Sequence, residues 1–263
     1  MQIPTGILTN GIDVFLLVFV RMTGLFVISP IFGRRNIPVY LKIGVSFLTA
    51  LILINTIKID KLDYYDNIYQ YTFLVFKEFI VGIILGYVSY LIFTAVYIAG
   101  QLIDMQIGFG MVNVIDPVSN IQIPITSNFY FIVSILVLLA LNGHHIIIRA
   151  LFESYKYISI GGETFNVSLM NDIVRIFGEV FLLGFKISAP VVAAMLITDI
   201  ALGVISKSIP QLNVFMVGMP AKIILGILVM VLTMPIFISL IEALVNGMDS
   251  QMYQIIKDMV LKK

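Results

Sequence analysis

Residues 69–107 read YQYTFLVFKEFIVGIILGYVSYLIFTAVYIAGQLIDMQI, and their reading decides the fold. The stretch has no proline, and from about Tyr71 to Gly100 it is apolar almost without a break. A spanning helix needs about 20 apolar residues, and in lipid a helix satisfies all its own backbone groups. The run is therefore helical, and a chain built of such runs is all-α. As one helix, however, it would be about 55–60 Å long, against a hydrocarbon core of about 30 Å. Either it breaks near Gly82 and Gly86, or it projects out of the bilayer.

Five more apolar segments flank it, at about 14–32, 39–57, 129–141, 176–205 and 223–245. Arg21 lies in the middle of the first, Pro190 inside the fifth and Pro235 inside the sixth. Only the fourth is short for a span. The expected fold is an all-α, polytopic, integral membrane-type protein with about six apolar helical segments. Residues 58–67 (KIDKLDYYDN) and 153–175 read as solvated loops, and the tail from about 249 is helix-compatible.

Composition agrees. The chain has 263 residues, 60% hydrophobic and 12% charged, with a mean hydropathy of +1.05. A soluble domain carries roughly 25% charged residues and about 45–50% apolar ones. The net charge of +1 gives no electrostatic case for nucleic acid. With no cysteine there are no disulfides and no thiolate metal sites. With no tryptophan, any interfacial aromatic belt falls to the 12 tyrosines. The N-terminus lacks a basic n-region and a small-residue cleavage site, so the first apolar segment is expected to be retained. The positive-inside rule gives no consistent topology. Arg34, Arg35 and Lys42 place the first loop inside, and with six spans in all Lys257, Lys262 and Lys263 in the tail fall outside.

Enzyme signatures are missing: no G-x-x-x-x-G-K-[ST], no H-E-x-x-H, no G-x-S-x-G. The two histidines, His144 and His145, are adjacent and diverge by about 100° on a helix, so they do not share one metal. No catalytic residue, metal site or cofactor is expected.

Charges inside apolar runs are the other candidates: Arg21, Lys77, Glu78, Glu179, Lys186, Asp199 and Lys207, with Lys222 in the following connection. In a bilayer each must face protein or water. They read as ion pairs between packed helices or subunits, with a proton or ion relay as the alternative. Gly82-x-x-x-Gly86 and the cluster Ser188, Ala189, Ala193, Ala194 are spacings that let helices approach closely.

Residues 107–120, IGFGMVNVIDPVSN, resist the pattern. Gly108 and Gly110 favour irregular backbone, and Asp116-Pro117 is a turn signal. The segment is too apolar for a loop in water. Irregular backbone at membrane depth is tolerated only where protein buries it or where it lines a cavity. Two readings remain: a re-entrant loop buried as packing, or an apolar plug that seals a pore.

Several blocks resemble the FliR/SctT family of type III secretion export-gate proteins. They are RMTGLFVISPIFGRRNIP at 21–38, GQLIDMQIGFGMVNVIDPVSNIQIP at 100–124, LALNGHHIIIRALFESY at 139–155 and FKISAPVVAAMLITDIALGVISKSIPQLNVFMVGMPAKIILG at 185–226. The last is the most specific, with Pro190, Gly203, Lys207, Pro210, Gln211, Asn213 and Lys222 in place. One departure is Ser159-Ile160-Gly161, where the family usually has a Pro-Gly turn.

The resemblance implies a non-enzymatic core subunit of the export gate in the bacterial inner membrane, at the flagellar basal body. One such chain would join FliP-like and FliQ-like subunits in a channel for unfolded flagellar proteins, with FlhB around it and FlhA below. Residues from roughly 1–175 would be FliP-like and those from roughly 176–263 a FliQ-like helical hairpin. Some helices would stand above the bilayer, which would reconcile the overlong third segment with the inconsistent topology. The family's plug loop matches Gly108, Phe109, Gly110, Met111, Val112, Asn113, Val114, Ile115, Asp116 and Pro117, and so tips the reading of 107–120 towards a plug. The chief competing class is a secondary transporter with broken helices, but the first half has no match for the prolines of the second.

Overall fold

The computed structural model describes residues 5–34, 36–56, 68–109, 124–211 and 213–260. Seven α-helices account for most of them: α1 (Thr5–Ile28), α2 (Val39–Ile54), α3 (Ile68–Ile107), α4 (Ile125–Ala140), α5 (Gly143–Tyr157), α6 (Val167–Ser208) and α7 (Val214–Asp258). The fold is all-α. The sole β contact among the described residues is an isolated bridge between Glu163 and Val260.

The 40-residue α3 is continuous. Gly82 and Gly86 do not break it; they bring it against α1. A Cβ on Gly82 would meet the carbonyl oxygen of Arg21, and one on Gly86 would lie 2.8 Å from the Leu25 oxygen. Gly24 of α1 answers from the other side, 2.6 Å by the same construction from the Phe79 oxygen. The two backbones meet with nothing between them, the use that small residues have in membrane helices.

α6 and α7 are also continuous, at 42 and 45 residues, with Pro190 inside the first and Pro220 and Pro235 inside the second. Four helices (α1, α3, α6, α7) are long and apolar enough to cross a membrane, and the count is five if α4 and α5 form one broken span. α2 is apolar but shorter. The chain is therefore a polytopic membrane-type helical protein. The expected loop at 153–175 is shorter than its charge suggested, because α5 runs to Tyr157 and α6 begins at Val167.

The chain divides into two compact units. The first comprises residues 1–91, 142–176 and 246–263; the second comprises 92–141 and 177–245. In the first, α1 packs on α3 and α2, and Phe15 meets Phe47 edge-on with ring centroids 5.3 Å apart. The end of α7 is tied to the connection after α5 by Thr164 N, which donates to the Met259 oxygen at 2.8 Å. In the second, Gly184 of α6 lies against Ile98 and the Ala95 oxygen of α3, and Gly226 of α7 against Ile107. Tyr130 of α4 stacks on Phe237 of α7 with centroids 4.3 Å apart.

Candidate functional site

The segment singled out above begins where α3 ends. Gly108 N donates to the Asp104 carbonyl oxygen at 3.1 Å, and Gly108 has φ +97°, the left-handed region where glycine is at ease. It stops α3 after Ile107. Phe109 follows, and Gly110 to Pro117 lie outside the described residues.

The chain returns at Pro124, the N-cap of α4. Pro124 O accepts from Asn128 N at 3.0 Å, so the helix ladder starts there, but the side chain makes no cap hydrogen bond. A helix start leaves its first amides without partners, and an N-cap side chain normally serves the second or third. Here those amides belong to Thr126 and Ser127. Asp104 of α3 supplies the acceptors instead: Oδ1 takes Thr126 N at 2.9 Å, and Oδ2 lies 3.5 Å from Ser127 N. A carboxylate is well placed there, because the helix dipole leaves partial positive charge at the N-terminus.

Asp104 is only 7% exposed, Thr126 1% and Ser127 not at all, so water does not substitute for these bonds. Close packing supports them. A Cβ on Gly100 would collide with the Ser127 backbone, so α3 and α4 touch directly at this pair. Ser127 Oγ donates to the Tyr97 oxygen at 3.1 Å. Both footings of the 108–124 segment thus converge on Asp104. Its carbonyl closes α3, and its carboxylate opens α4.

Beside this stem, the end of α3 and the middle of α6 enclose a largely apolar cleft of about 530 Å³. Met105, Gln106, Phe185, Lys186, Ala189 and Leu196 are among its walls. Lys186 therefore stands next to the foot of the loop, exposed at the rim.

The other charges fall into separate groups. Arg21, Glu78 and Lys77 join a buried polar knot in the first unit. Arg21 and Glu78 are both fully buried and paired two-fold: Nε to Oε2 at 2.6 Å and Nη2 to Oε1 at 3.0 Å. Arg21 Nη1 also donates to Ser154 Oγ at 3.0 Å, and the guanidinium lies 3.8 Å over the Tyr155 ring. Glu78 accepts further from Tyr155 OH at 3.3 Å and Gly161 N at 3.2 Å. Such saturation is what a buried charge requires. Gly161, with φ +74°, supplies the left-handed residue of the turn that departs from the usual Pro-Gly, and Lys77 Nζ donates to its oxygen at 3.2 Å. Lys77 also pairs with the buried Glu163 at 3.3 Å.

In the second unit, Lys222 of α7 and Asp199 of α6 pair at 2.7 Å. Glu179 is half-buried two turns before Lys186 on α6, and Lys207 is exposed in the last turn of that helix. His144 and His145 open α5 with ring centroids 4.2 Å apart. Sequence reasoning did not single out Asp104, Ser154, Tyr155 or Glu163. The available signal for Asp104 was a carboxylate in the last turn of an apolar helix with a proline-capped helix shortly after it.

A family model described as bacterial export proteins, family 1, matches residues 12–248. The chain is similar to the flagellar biosynthetic protein FliR of Bacillus subtilis, at 39% identity over 84% of this chain and 86% of that one. Against the Escherichia coli protein of the same name, identity is 24% over 99% of both chains. The surface presentation of antigens protein SpaR of Shigella sonnei is 29% identical over 84% of this chain and 86% of its own.

Proposed function

The chain belongs to the bacterial export proteins, family 1, and on that premise we propose that it is a core, non-enzymatic subunit of a type III protein-export gate of the flagellar kind. The match over residues 12–248 carries the reading, because it reaches both units and includes most of every long helix. The flagellar assignment rests on the names of relatives that cover 84% and 99% of the chain.

In this reading the chain sits in the bacterial inner membrane at the basal body. It assembles with FliP-like and FliQ-like subunits into the channel for unfolded flagellar proteins, with FlhB and FlhA as neighbours. The surface supports such assembly. Only 33% of the apolar window of α6 and 11% of that of α7 is covered within the chain, against 61% for α3. These two, the least covered of the four long helices, follow one another in the chain, and Asn213 Oδ1 caps α7 by accepting Met216 N at 3.3 Å. We assign the FliQ-like place, a helical hairpin, to roughly residues 176–263, and the FliP-like place to roughly residues 1–175.

The loop at 107–120 is the apolar plug of that channel. Its composition supports the role, since an apolar constriction excludes water and ions while it stays closed. Its two footings are fixed in buried structure, as a seal requires. The remaining paired charges, Arg21, Glu78 and Lys77 within one unit and Asp199 with Lys222 in the other, hold helices together. Lys186 and Lys207, both exposed on α6, are assigned to contacts with neighbouring subunits.

The test is co-expression with FliP-like and FliQ-like partners and purification through a tag on this chain. The three proteins are expected to elute as one complex, with one copy of this chain per assembly. A stable homodimer that transports a solute by itself in liposomes would contradict the proposal and restore the transporter reading.

A further inference from the structure

We propose that Asp104 is the positioning residue of the plug: a helix cap supplied from another helix, which holds both footings of the loop at one point. This inference rests on the plug reading above and adds the part that keeps the plug in place.

The loop leaves α3 through Gly108, whose amide is bound by the Asp104 carbonyl at 3.1 Å. It re-enters α4 at Thr126 and Ser127, whose amides face the Asp104 carboxylate at 2.9 and 3.5 Å. Pro124 stands in the N-cap position and has no side-chain acceptor to offer, so α4 depends on α3 for its cap. Ser127 Oγ is committed to the Tyr97 oxygen.

Removing the carboxylate leaves buried amides without acceptors, a state that proteins avoid by local opening. The opening would begin at the first turn of α4 and part that turn from the end of α3. A plug whose return footing has opened no longer seals, and the channel leaks. The neutral isostere behaves differently, because an asparagine carbonyl caps a helix about as well as a carboxylate.

The experiment uses the co-purified complex with the wild-type chain, Asp104→Ala, Asp104→Asn and a deletion of residues 108–115. Two quantities are read: residue-resolved hydrogen exchange at Thr126 and Ser127, and ionic conductance in planar bilayers. Asp104→Ala is expected to speed exchange at both amides at least tenfold and to leak as the deletion does. Asp104→Asn is expected to keep Thr126 protected and the conductance low. Unchanged exchange in Asp104→Ala would overturn the proposal. So would faster exchange without leakage, in an assembly where the deletion leaks. If the deletion itself does not leak, the plug reading fails, and the exchange rates still decide whether Asp104 holds the stem. Should Asp104→Ala not assemble, Asp104→Asn decides by residue, since its amide nitrogen takes the place of one acceptor: protection kept at Thr126 and lost at Ser127 supports the cap, and equal protection at both overturns it.

Discussion

Arg21 and Glu78 are 57 positions apart in sequence and form one unit in the fold. Both are fully buried, and Glu78 has donors from Arg21, Tyr155 and the Gly161 amide. Removing one partner strands the other charge, at about 3–5 kcal/mol. Arg21→Ala or Glu78→Ala is therefore expected to lower the thermal stability of the detergent-solubilised protein sharply, whereas Arg21→Met with Glu78→Leu should recover much of it. A double-mutant cycle with additive losses would refute the coupling. That Arg21 and Glu78 need a protein environment was legible in the sequence, because each stands in an apolar run. Their partnership was not, since nothing local in either helix names the other. Asp104 was hidden for a related reason. Its role depends on Pro124, twenty residues later, which fails to cap its own helix.

At the scale of the elements, α3 is the organising part, and its continuity was the question that sequence left open. Gly82 and Gly86 allow either a break or a close approach, and hydropathy does not distinguish these. The structure shows close approach: Gly24 and Gly82 each abut the other helix's backbone. Gly82→Ala is expected to push α1 from α3, cost about 1–3 kcal/mol by overpacking, and loosen the Arg21–Glu78 pair. The same stability assay reads it, and an unchanged melting profile would mean that the crossing tolerates a methyl group. The apolar segments were legible because their hydropathy is high over whole turns. α5 was not separated as a helix, because GHHIIIRALFESYKY is mixed in polarity. Its signal lies in periodicity: Gly143, Ile147, Ala150, Leu151, Ser154 and Tyr155 are buried at intervals of three and four, the stripe of an amphipathic helix. Charge in its last turn, with Gly161-Gly162 just beyond it, made the region from 153 read as loop.

At the scale of the whole molecule, most of the apolar surface of α6 and α7 is left for other molecules to cover, and the family assignment says in what kind of assembly. The inconsistent charge topology and the length of α3 follow if the helices pack against neighbouring subunits and do not all cross lipid. The claim on which the account turns is that residues 107–120 seal the channel. It is tested most directly by the ionic conductance of the co-purified complex in planar bilayers, with and without residues 108–115. The account predicts that the intact complex is closed and that the deletion raises conductance at least tenfold while leaving subunit composition unchanged. Equal conductance from two equally assembled complexes would contradict it and make the segment a packing loop.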